Sequence, residues 1–101
     1  MEIRRVKKCK VGNMEFAVRW VKGHEGGLFS YDNKVMELGL GCNDRRIFEI
    51  LCHELMEICA IECHVRYCRP DVGDDYVFMY DHRLHTIKAS MFADAISQFI
   101  K

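Results

Sequence analysis

Apolar side chains at Ile47, Ile50, Leu51, Leu55, Ile58, Ile61 and Val65 recur with the spacing of one long amphipathic helix, and this segment constrains the fold more than any other. Asn43 or Asp44 is suited to cap its start, because a short polar side chain there can accept from a free backbone N–H of the first turn. The pattern can run to about Tyr67, and Arg69-Pro70-Asp71 should stop it, with Gly73 and Asp74 continuing the loop. Such a helix needs a surface to bury its apolar stripe, and the residues before it supply one. Residues 2–22 read as two strands around the turn Gly12-Asn13, with Met14, Phe16, Val18 and Trp20 alternating with Glu15, Ala17, Arg19 and Val21. Residues 23–27 read as a loop, and Leu28 to Tyr31 and Val35 to Leu38 as a hairpin around Asp32-Asn33-Lys34, closed by Gly39 and Gly41. Tyr76 to Tyr80 is a short apolar stretch, strand or extended. Asp81 can cap a last helix over about 82–100, with Leu84, Ile87, Met91, Ala95 and Phe99 on one face. The expected class is α+β: a small antiparallel or mixed sheet, with the long helix and a C-terminal helix packed on one face. With 101 residues and no break in composition, residues 1–101 read as a single domain.

Charge narrows the choice of partner. Fifteen basic and fifteen acidic residues leave a formal charge of zero, so net charge gives no support to a nucleic-acid or membrane-surface role. The basic cluster Arg4, Arg5, Lys7, Lys8 and Lys10 reads as the solvated face of a strand. No apolar run approaches the roughly 20 residues of a membrane span. The N-terminus lacks the apolar core of a signal peptide, so a cytoplasmic location is expected. The six cysteines are then expected as thiols rather than as a disulfide scaffold.

On the helical wheel, His53, Glu57 and His64 cluster at one edge of the apolar arc, and Glu54 falls inside it, between Ile61 and Val65. A carboxylate in that position is costly unless something compensates it. One account puts Glu54 at the rim or against an arginine such as Arg45. The other uses all three residues. His53 and Glu57 stand at i and i+4, so they point the same way one turn apart and can share a zinc ion. Glu54 then faces the open position, where it could take a proton from the water that zinc activates. This is the logic of the His-Glu-x-x-His motif, written here as His53-Glu54-Leu55-Met56-Glu57 with glutamate as the second ligand.

The residues from about Leu28 to Phe99 resemble the small phage-encoded zincin-like proteins and, more remotely, the protease domains that act on phage repressors. The likeness is carried by the hairpin strand Tyr31 to Leu38, Arg45-Arg46, the helix Ile50 to Ala60 around His53-Glu54 and Glu57, and the segment Val77-Phe78-Met79-Tyr80-Asp81-His82 before the closing helix. The resemblance implies a minimal zincin fold, a zinc cofactor, a viral or phage accessory setting in the host cytoplasm, and a third ligand from the downstream histidine, His82. His85, one turn later on the apolar side of that helix, is the other candidate. His64 lies almost two turns past Glu57, roughly 10 Å along the axis and too far to join the same ion. His24 sits in a glycine-rich loop and reads as solvated.

Cys59-x3-Cys63-His64-x3-Cys68 offers a rival, structural zinc site. Structural knuckles are usually presented from turns, however, whereas Cys52 and Cys59 here read as small core residues of a continuing helix. Two functions follow. One is a zinc metallopeptidase-like hydrolase acting on a peptide or protein, with Glu54 activating water and His53, Glu57 and His82 holding the metal. The other is a zinc-stabilised binding or regulatory protein without turnover, to which glutamate at Glu57 and the short chain lean.

Overall fold

The computed structural model describes residues 2–68 and 76–100. The expected break at Arg69-Pro70-Asp71 and the loop at Gly73 and Asp74 lie outside them. The elements are β1 (Lys8–Val11), β2 (Met14–Val21), β3 (Gly27–Ser30), β4 (Val35–Gly39), α1 (Asp44–Glu62), β5 (Arg66–Cys68), β6 (Tyr76–Phe78) and α2 (His82–Ser97). This is the α+β layout read from the sequence.

The main sheet has the order β1-β2-β4-β3, and β5 and β6 form a separate antiparallel ribbon. β1 and β2 pair antiparallel with Val11 opposite Met14, so Gly12-Asn13 is a two-residue hairpin loop. Gly12 holds a positive φ of 61°, which a II′ turn needs at its first central residue and glycine adopts without strain. β3 and β4 form the second hairpin, with Ser30 opposite Val35. The two hairpins join through a parallel β2–β4 pair, Ala17 opposite Val35 through Val21 opposite Gly39. The sheet is therefore mixed, and β3 is one of its two edges.

Alternation on the strands sends Cys9, Val11, Phe16, Val18, Met36 and Leu38 to the core. There they meet Ile50, Leu51, Leu55, Ile58 and Cys59 of α1, together with Ala95 and Phe99 from the C-terminal end. α1 packs on β1, β3 and β4, and α2 on α1 and β1. Of the stripe expected on α2, Ala95 and Phe99 are buried, whereas Ile87 is exposed. Among the described residues no helix is long and apolar enough to cross a membrane.

Asn43 caps α1 as expected, its Oδ1 accepting from the Arg46 N–H at 2.9 Å. The far end differs from the expectation: the helix stops at Glu62 instead of running to Tyr67. His64 takes a positive φ of 59°, the Val65 N–H donates to the Ala60 carbonyl at 2.9 Å, and the His64 N–H donates to the Ile61 carbonyl at 3.0 Å. This is a Schellman closure with histidine where glycine is usual. It buries Val65 and turns Arg66 into β5, back toward the helix it has just left.

Candidate metal centre

The i, i+4 spacing on α1 brings His53 Nε2 to 3.0 Å from Glu57 Oε2. Together with a Glu54 carboxylate oxygen, one donor atom from each residue lies within 4.8 Å of the others. Among the described residues this is the group of three or more His, Cys, Asp or Glu side chains that could hold a metal ion. The His53 side chain is 69% exposed and that of Glu57 only 17%, so the group opens to solvent on the histidine side.

Glu54 is 7% exposed, as its place inside the apolar arc required. Burial pushes its carboxyl above the usual carboxylate range; the proximity of His53 opposes this, Glu57 adds to it, and Arg66 opposes it. Arg45 does not compensate Glu54. Its Nε lies 3.4 Å from Glu49 Oε1, and Arg46 also pairs with Glu49, at 3.1 Å.

The β5–β6 ribbon orients Glu57. Arg66 Nε lies 3.6 Å from Glu57 Oε1, on the oxygen that His53 does not use. The Arg66 guanidinium carbon is 3.6 Å from the Tyr76 ring centroid and 5.6 Å from that of Phe29 on β3. Arg66 Nε is buried and has no hydrogen-bond partner among the described residues. Held between two rings, Arg66 places its positive charge beside one Glu57 oxygen, and Oε2 faces His53.

Two clefts flank the group, and His53 borders both. One, about 440 Å³, is lined by Gly26, Gly27, Arg46, Ile50, His53 and Glu54 among others. Gly27 is required there, because a Cβ on it would lie 2.8 Å from Ile50 Cγ2 and 3.3 Å from Glu54 Cγ. The other, about 240 Å³, is lined by His53, Met56, Glu57, Phe78, Tyr80 and Lys88.

The group of donors contains neither His82 nor His85. His82 is exposed at the first position of α2, just after the capping Asp81. His85 is also exposed, against the expectation of a place on the apolar side, and its ring stacks on Tyr80 with centroids 5.5 Å apart and planes at 4°. His64 is exposed in the Schellman turn, and His24 is exposed with its carbonyl accepting from the Gly41 N–H. Among the described residues the cysteines form no three-donor group. Cys59 is buried and Cys52 half-buried, close to their reading as small core residues, and Cys9, Cys42, Cys52, Cys59 and Cys63 are free thiols. Burial pushes the Cys9 and Cys59 thiols up to about 12.

The sequence reading missed Arg66 and Lys88. Arg66 fell inside the span assigned to the long helix. Lys88 could have been found as the charged member of the stripe Leu84, Met91 and Ala95, standing four after the first and three before the second.

The chain matches no protein-family model, no curated protein and no solved structure. None of these comparisons supports a zincin-like assignment; what the structure shows is a His-Glu-Glu group on α1 of a small α+β fold. The residues fit a metal: one imidazole nitrogen and two carboxylates converge, and donors of a tetrahedral zinc site stand about 3.3–3.6 Å apart at bonds of about 2.0–2.2 Å. The 3.0 Å between His53 Nε2 and Glu57 Oε2 needs little adjustment to admit an ion.

Proposed function

We propose that this is a zinc-binding protein with a metallopeptidase-like site, in which His53 and Glu57 hold the ion and Glu54 moves the proton. The observation that carries the reading is the convergence of donors from His53, Glu54 and Glu57 within 4.8 Å on one helix. A mixed nitrogen and carboxylate set suits zinc. When bound, zinc supplies a Lewis acid that polarises a carbonyl and acidifies water. Glu54, at the wall of the larger cleft, accepts the proton of the attacking water through its carboxylate oxygen. As the carbon–oxygen bond forms and the carbon–nitrogen bond of a peptide breaks, the same oxygen returns that proton to the leaving amine. The edge strand β3 borders this cleft at Gly27, so an extended peptide or protein substrate could add to the edge beside Glu54.

For the third ligand we propose His82. It stands two positions after Tyr80, which lines the smaller cleft with His53 and Glu57. The second reading is a zinc-stabilised binding or regulatory protein without turnover, and it is favoured by the closeness of Glu54, which lets Glu54 itself serve as the third donor. Metal analysis of purified protein tests both. About one zinc per chain is expected in the wild type, lost in His53→Ala and in Glu57→Ala; unchanged content in both variants would sink the site. Loss in His82→Ala supports the hydrolytic ligand set, and retention there gives the third place to Glu54. Loss in Cys59→Ala and Cys63→Ala instead would transfer the metal to the cysteines.

A further inference from the structure

The smaller cleft combines two features that neither folding nor the metal requires. Its walls are apolar side chains left open to solvent: Met56 at 46%, Phe78 at 43% and Tyr80 at 40%. Deeper in stands Lys88, which is only 9% exposed. Its Nζ lies 5.4 Å from the centroid of Phe78 and 5.1 Å from that of Tyr80. Among the described residues it makes no ion pair and no hydrogen bond. Ring faces attract a cation but do not neutralise it, so a carboxylate remains its natural partner. The carboxylate of Glu57 borders the same cleft, but its two oxygens face His53 and Arg66. The Lys88 side chain is thus nine-tenths buried, and its ammonium borders the cleft with its counter-ion place open. The volume, about 240 Å³, is below the roughly 300–1,000 Å³ of whole-ligand sites and suits a single residue.

We propose that this cleft receives the C-terminal residue of a peptide, its carboxylate paired with Lys88 Nζ and its apolar side chain against Met56, Phe78 and Tyr80. An aspartate or glutamate side chain would satisfy the charge and leave the apolar wall uncovered. His53 stands in the wall of the cleft, so a residue seated here presents the peptide bond that precedes it to His53 and Glu57. The inference rests on the reading of those two residues as zinc ligands, and it assigns the substrate class as peptides with a free carboxyl end and an apolar last residue.

The test uses three small probes and the whole protein, with and without zinc, titrated calorimetrically. N-acetylphenylalanine should bind at least about ten-fold more tightly than its carboxamide, as expected for a charge-assisted contact made in one and absent in the other. Lys88→Met should abolish the difference while zinc content stays the same, and Lys88→Arg should keep it. Equal binding of acid and amide by the wild type overturns the proposal, even if the methionine variant does not fold. So does a N-acetylaspartate amide, with only a side-chain carboxylate, that binds as tightly as N-acetylphenylalanine. Zinc uptake without acid preference overturns the pocket and leaves the metal site standing. Acid preference without zinc uptake supports the pocket and overturns the metal site.

Discussion

Glu54 is the residue on which enzyme and binder part. Its carboxyl is raised above the ordinary range chiefly by burial, so the folded protein holds that proton more tightly than the unfolded chain does. Stability drawn from this group is therefore greatest below its unfolded value and declines as pH rises through the folded one. Metal-free wild type should lose stability relative to Glu54→Gln as pH climbs above about 4.5, measured by urea unfolding from acid to neutral pH. Parallel pH profiles would show that burial does not strain Glu54. With zinc added, the hydrolytic reading expects equal thermal shifts in wild type and Glu54→Gln; a much smaller shift in the glutamine variant makes Glu54 a ligand. At the same scale, Cys9 and Cys59, pushed up to about 12, should resist iodoacetamide until the protein unfolds, because the thiolate is the nucleophile. His53, Glu54 and Glu57 were legible in the sequence because helix periodicity fixes which side chains share a face. Arg66 was not, since its approach to Glu57 depends on a chain reversal that no periodicity encodes.

That reversal belongs to the elements. Asn43 was readable as a cap because cap chemistry is local, and Asn43→Ala should cost about 1 kcal/mol in denaturant unfolding. The end of α1 was misread because its stop signal is a histidine in the left-handed region, where glycine would have announced it. Left-handed backbone costs a residue with a Cβ about 1 kcal/mol or more, and a branched Cβ more still. The turn forms with histidine in place, yet relieving the strain should show: His64→Gly is expected about 0.5 kcal/mol more stable than wild type and His64→Val about 1 kcal/mol less. If glycine proves the less stable of the two variants, the Schellman geometry is not what ends the helix.

For the whole molecule, zinc should act by mass action on the folded state. At free zinc a hundred-fold above its dissociation constant the gain is about 2.7 kcal/mol, which in a domain of this size raises the melting temperature by roughly 10–20 °C. Calorimetry should show that rise in wild type and none in His53→Ala. Both hairpins could be read from their turns, but the parallel β2–β4 seam could not, because the two strands are joined only through β3 and alternation says nothing about which strands become neighbours. The donors are spared that dependence on distant pairing: His53, Glu54 and Glu57 fall within little more than one helical turn. An ion that clips a single turn together can be captured before the sheet assembles, by a chain in which only α1 has nucleated. Zinc would then hasten the search for the native state as well as deepen it, and a fragment spanning 43–65 should gain helical signal with zinc while the same fragment lacking the His53 imidazole stays a coil.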